Sequence, residues 1–331
     1  MTGHSDLPNN NSFETSILSE KFARDLKWMI SSSPIIDPKI FDFHKPLKDL
    51  TCLDQKDEKA RLSLWLKKAN LKMLGPYFEA LWTYYLKYLA PTEIVAQNLQ
   101  VRSDKKTIGE FDFIYRDSET GLFHHLEVAV KYYLGVKTFN TSNDSRFSDM
   151  AAWIGPNKND RLDRKFIKLR DHQSKLSQNE CAKPILSELG VDESGIDKIE
   201  TDICLLGYLF YPFDEAIAPP IHAHLSHHRG VWVSHSKIAE FVNSLSNSAI
   251  ETLYWQVQEK PFWLAQEIID AGCLMDEKNI YQEVLKIFDE QLRPVLCSTY
   301  QKNESSGMLE FNQLVFIVPD DWEATTKIVD S

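Results

Sequence analysis

The stretch 109–135, GEFDFIYRDSETGLFHHLEVAVKYYLG, decides how this chain is expected to fold. Both of its arms alternate apolar and polar residues. The DSETG segment between them (117–121) has the turn chemistry of an antiparallel hairpin closing on glycine. Successive strand residues face opposite sides. Phe111, Phe113 and Tyr115 are therefore expected on one face of the first strand, with Glu110, Asp112 and Ile114 on the other. In the second strand Leu126, Val128, Val130 and Tyr132 form an apolar face, opposed by His125, Glu127, Ala129 and Lys131. With both apolar faces in the core, the ionisable groups gather on one side. Charge in such a place is costly unless it is paired, solvated or bound to a metal.

Around this hairpin the pattern is mixed α/β. Residues 1–13 are rich in Asn, Ser, Pro and Gly and read as disordered. Helical spacing follows at Ile17, Leu18, Phe22, Leu26, Met29 and Ile30, and again over 75–89 behind Pro76. Strands are expected at 93–101, 109–117 and 121–135, and irregular chain at 140–159. A basic amphipathic helix is expected over 160–177, with Leu162, Phe166, Leu169 and Gln173 along one face. The apolar run ICLLGYLFYP (203–212) reads as a buried central strand. Further on, 230–234 and 314–322 look extended, and helices are expected near 236–247, 261–270 and 279–292. The organisation is thus a disordered 1–13, a helical region at 14–70, a core at 71–215 and an α+β extension at 216–331.

The 331 residues carry a formal net charge of −11, which argues against indiscriminate nucleic-acid binding. Yet residues 131–175 hold ten Lys and Arg against five Asp, a local net charge of +5. No apolar run is long enough for a membrane helix. Five scattered cysteines without a CxxC, and a polar N-terminus, lead us to expect a cytoplasmic protein without disulfides or a membrane partner. Walker A, GxSxG and GxGxxG motifs are absent, which lowers the nucleotide-hydrolase, serine-hydrolase and dinucleotide-binding readings.

Carboxylates beside a lysine suit metal-assisted phosphodiester hydrolysis, since Mg²⁺ takes carboxylate oxygens and keeps waters for the substrate. A surface hairpin with cross-strand ion pairs explains the same pattern without chemistry. A helix bearing Glu79 in YFEALW, the strand GEFDF, then LEVAVKYY and a helix resembles the core of the PD-(D/E)XK superfamily, the restriction-endonuclease-like nucleases. That resemblance implies a mixed central sheet flanked by helices and a cofactor of Mg²⁺ or Mn²⁺. It also implies nucleic acid as partner, DNA before RNA. By it Asp112 and Glu127 would hold metal with Glu79 assisting, Lys131 would orient the attacking water, and Gln173 would match a glutamine that some branches carry. More widely, ARDLKWMI, LGPYFEALW, GPNKNDRLDRK and LFYP look like a bacterial family with a domain of unknown function.

One position departs from the superfamily pattern. The acid expected two residues before the lysine is Ala129 here, and Glu127 stands four residues away, about 13 Å along a strand. A shifted acid, helped by a bulge, keeps an enzyme. A lost acid leaves a non-catalytic module binding nucleic acid or protein. Lys158, Arg161, Arg164 and Lys165 are candidate phosphate contacts or a solvated helix face. His222, His224, His227 and His228 are more consistent with loop histidines than with a zinc site, having neither HExxH nor a nearby Cys. The aromatics of 254–266 are expected in packing.

Overall fold

A computed structural model of the chain describes residues 10–41, 50–69, 72–103, 106–137, 149–191, 193–196, 198–246, 253–266, 269, 272–291, 293–303 and 305–326. The disorder expected at 1–13 lies outside them for 1–9, and the irregular 140–159 does so up to 148. Residues 10–13 are helical, because α1 runs from Asn10 to Ser31.

Three helices form the N-terminal layer: α1, α2 (Lys56–Ala69) and α3 (Leu74–Tyr84), the last running on into a π-helical turn at Tyr85–Leu89. After β1 (Thr92–Ser103), β2 (Lys106–Asp117), β3 (Phe123–Gly135) and the two-residue β4 (Trp153–Ile154) comes α4 (Leu162–Asp171). The short α5 (Lys183–Glu188) and α6 (Glu193–Ile196) precede β5 (Glu200–Pro212) and β6 (His228–Ser234). Next are α7 (Ile238–Ser246), β7 (Leu253–Val257), α8 (Glu277–Gln291), β8 (Val295–Lys302), β9 (Leu309–Val318) and α9 (Trp322–Thr326). The strands make one nine-stranded mixed sheet in the order β1-β2-β3-β5-β6-β9-β8-β7, with β4 on β3. Residues 216–331 thus extend the same sheet that 71–215 begin. β3, β5, β6 and β9 run parallel, while β1–β2–β3 and β7–β8–β9 are antiparallel.

β5 is central and buried along almost its whole length, as its apolar run requires. It pairs with β3 from His124↔Glu200 to Leu134↔Phe210. Gly207 makes this approach possible. Its φ is +132°, and a Cβ there would lie 1.7 Å from the Lys131 carbonyl oxygen. Helices α1–α3 pack on one face through Phe113, Tyr115, Leu126 and Val128. Helix α4 covers the other through Leu162, Phe166 and Leu169 against Tyr133, Ile203 and Leu205. No described helix is long and apolar enough to cross a membrane.

Three expectations change. No helix forms at 261–266, where Trp263 and Leu264 are instead inserted into two core clusters. β8 was not foreseen, because VLCSTYQK mixes polar residues into a strand that is buried from Val295 to Tyr300. Phe111 does not share the layer of Phe113 and Tyr115 but packs with Val101, Ile114 and Leu176. The reason is that β2 pairs with β3 only from Phe113 to Arg116 and then departs from it.

Candidate active site

The turn that starts β3 is built locally. Asp117 Oδ1 accepts the Glu119 and Thr120 N–H groups at 2.8 and 2.7 Å, and Gly121 takes φ +73°. This fixes the hairpin register at Phe113↔Leu126. Asp112 and Glu127 stand at the next register step, where the backbone ladder stops. There the Asp112 side chain replaces the missing strand partner, and its Oδ2 accepts the Val128 N–H at 2.9 Å.

Glu127 is buried, at 1% exposure. One oxygen meets His125 Nε2 at 2.8 Å, and Gln173 Nε2 donates to the other. Burial, and then the charge of Glu127, push the Asp112 carboxyl up to about 7. Glu79, half-buried on α3, adds its own field to Asp112. Its carboxyl is raised first by burial, against a hydrogen bond from Asn98, and further by Glu110.

Lys165 on α4 faces this acid group. Its Nζ donates to Gln173 Oε1 at 3.3 Å, and the charges of Glu127 and Asp112 act on it. Burial, then Lys131 and Lys168, nevertheless lower it to about 8. Helix α4 ends at Asp171, and His172 leaves helical geometry with φ −123° and ψ −63°. Gln173 therefore opens a separate 3₁₀ turn, from which it reaches both Glu127 and Lys165. The continuous helix expected over 160–177 would have left it on the face of Leu169.

The structure thus brings Asp112, Glu127, Gln173 and Lys165 together, with Glu79 acting on Asp112 only through its charge. Lys131 is held at the rim, where its Nζ meets Asp160 Oδ2 at 2.6 Å. Arg161 forks onto Asp163 at 2.7 and 2.8 Å, Lys158 lies 5.8 Å from the Trp322 ring centroid, and Arg164 is exposed. His125 lies on the charged face of β3, with no role expected of it from the sequence. It lies edge-on to Phe111 with centroids 4.7 Å apart, and its buried Nδ1 has no hydrogen-bond partner among the described residues. The signal for it was its spacing of two from Glu127, which puts both on one face. Nothing in the sequence marked Lys165 above the neighbouring basic residues of its helix.

Carboxylate oxygens are the donors that Mg²⁺ or Mn²⁺ prefers, and the Asp112 carboxyl is raised by burial and then by the charge of Glu127. Asp112 and Glu127 match such an ion in donor type, while both Glu127 oxygens already meet His125 and Gln173. Among the described residues no group of three or more His, Cys, Asp or Glu could hold a metal unaided. The histidines of 222–228 work separately. His227 bonds Tyr211 at 2.9 Å, His228 bonds Ser32 at 2.8 Å, and His222 stacks on Phe166.

The model of one protein family, described as "Domain of unknown function (DUF1853)", matches residues 24–318. No curated protein and no solved structure matches the chain.

Proposed function

The chain belongs to the DUF1853 family, and we propose that it is a metal-dependent nuclease with a restriction-endonuclease-like core, hydrolysing phosphodiester bonds in DNA or RNA. The observation that supports this is the convergence of a buried, repelling acid pair with one lysine and one glutamine at the place where β2 leaves β3. Structural charge in a core is normally paired one to one. Here two carboxylates, Asp112 and Glu127, stand against one lysine, Lys165.

Asp112 and Glu127 would hold Mg²⁺ or Mn²⁺, with Glu79 assisting through its field. When bound, the ion supplies charge that polarises a phosphoryl oxygen and makes a bound water more acidic. The remaining work falls to the chain. His125 and Gln173 fix the Glu127 carboxylate in one orientation. Gln173 also aims Lys165 at the same place, so the ammonium can orient the attacking water or offset charge growing on phosphate. The role expected of Lys131 passes to Lys165, since Lys131 is tied to Asp160. Lys131 and the exposed face of α4 would then position the strand by its phosphates.

A second reading, a nucleic-acid or protein binding module without catalysis, is favoured by two observations. Both Glu127 oxygens are already hydrogen-bonded, and Ala129 stands where the superfamily carries an acid. Calorimetric titration with Mn²⁺, beside cleavage of labelled single- and double-stranded DNA and RNA, separates the two. The nuclease reading expects one Mn²⁺ per chain, lost in Asp112→Asn, and cleavage that disappears with it. Mn²⁺ binding and cleavage both absent from the parent would end it.

A further inference from the structure

Among the described residues, the C-terminal half of β3 has an open edge. β2 is paired to it only over Phe123–Leu126, and β4 only at Leu134 and Gly135. On this edge Asp112 accepts the Val128 N–H, and the Ala152 carbonyl accepts the Val136 N–H at 2.9 Å. Backbone N–H groups of a strand point to alternate edges. Those of Val130 and Tyr132 therefore point the same way as Val128 and Val136. A cavity of about 280 Å³ lies there, lined by Val130, Lys131 and Tyr132 and, from the C-terminal part of the chain, by Lys260, Trp263 and Arg293. Asn157, Asn159 and Asp160 close it from the loop before α4.

The charge in this cavity is unbalanced. Asp160 is matched by Lys131 at 2.6 Å. Lys260 lies 4.6 Å over the Trp263 ring, and no carboxylate pairs with it or with Arg293 among the described residues. Partial burial of its ammonium, followed by repulsion from Arg293, lowers Lys260 below its usual value. Two like charges held toward one cavity, beside strand N–H donors and asparagine amides, form a receptor for an anion. In a chain of net charge −11 this concentration of positive groups is against the general trend.

We propose that this cavity is a phosphate subsite, taking a phosphate of the nucleic-acid strand a few nucleotides from the one held at Asp112 and Glu127. The two places share β3. Glu127 and Lys131 are four residues apart, about 13 Å of strand, against about 3.4 Å of rise per nucleotide in a stacked strand. The identity of the polymer rests on the nuclease reading, whereas recognition of phosphate does not. Asp160 keeps the subsite from over-accumulating positive charge, and the face of the Trp263 ring holds the Lys260 ammonium in place.

The test uses the full chain, a fluorescein-labelled single-stranded oligonucleotide and, separately, inorganic phosphate by calorimetry. Lys260 and Arg293 are exposed, so Lys260→Ala/Arg293→Ala keeps the fold, and thermal melting checks it. The double variant is expected to bind the oligonucleotide about tenfold more weakly and to lower the slope of log K against log salt by about one. If the parent ignores the oligonucleotide but binds phosphate, and the double variant loses it, the subsite stands as one for small phosphate esters and the nuclease reading falls. Parent and double variant binding both probes alike would overturn the subsite, as would a parent that binds neither.

Discussion

Asp112 Oδ2 accepts the Val128 N–H at 2.9 Å, so a carboxylate takes the place of a strand partner at the point where two strands part. One bond both ends the β2–β3 ladder and holds a charge beside buried Glu127. The same step leaves the β3 edge beside which the cationic cavity lies.

That geometry predicts an inverted pH dependence for Asp112. Its folded value, about 7, lies above the ordinary carboxylate range, because of burial and then Glu127. The group therefore favours the fold at low pH, and this contribution is lost as pH rises from about 4 to about 7. Asp112→Asn should be more stable than the parent by about 2 kcal/mol at pH 8, and by less at pH 5, without divalent ions. Urea denaturation at the two pH values measures this, and a parent–variant difference independent of pH would refute it.

Lys165 should be the titrating cation of the site. It sits near 8 through burial and the repulsion of Lys131 and Lys168. Lys131→Met is then expected to raise Lys165 by up to about one unit, since it removes a like charge. NMR titration of the lysine side chains reads this directly. In a cleavage assay Lys165→Met should cost at least about a hundredfold in rate and Lys131→Met much less. The reverse ranking would return the role to Lys131.

Gln173 should act through Glu127 and Lys165 rather than on substrate. Gln173→Ala is expected to lower cleavage by about tenfold, with Gln173→Glu lower still because it adds a further like charge. A positioning role also predicts a changed Lys165 titration in Gln173→Ala. An unchanged titration would show that the contact has no influence.

Gly207→Ala should be severely destabilising. Its Cβ would meet the Lys131 carbonyl oxygen at 1.7 Å in a backbone conformation that L residues rarely adopt. A loss of more than about 3 kcal/mol, or failure to fold, is expected, and thermal melting decides it. A variant melting within a few degrees of the parent would mean that β3 and β5 can separate there at little cost.

Much of this was legible in the chain itself. The turn residues Asp117, Thr120 and Gly121, the alternation from Leu126 to Tyr132, and the apolar run of β5 determined the hairpin, its facing and the central strand. These are local rules of backbone and hydrophobic period, readable one segment at a time. The spacing also put His125, Glu127 and Lys131 on one face of β3. Which lysine meets the acids was not readable. That depends on where β2 leaves β3, on the break at His172 that swings Gln173 back, and on Asp160 reaching Lys131 first. The cavity beside β3 needs Lys260 and Arg293 from a part of the chain more than a hundred residues away. Such contacts are set by how helices and strands pack across the sheet, and a linear pattern carries no term for that distance.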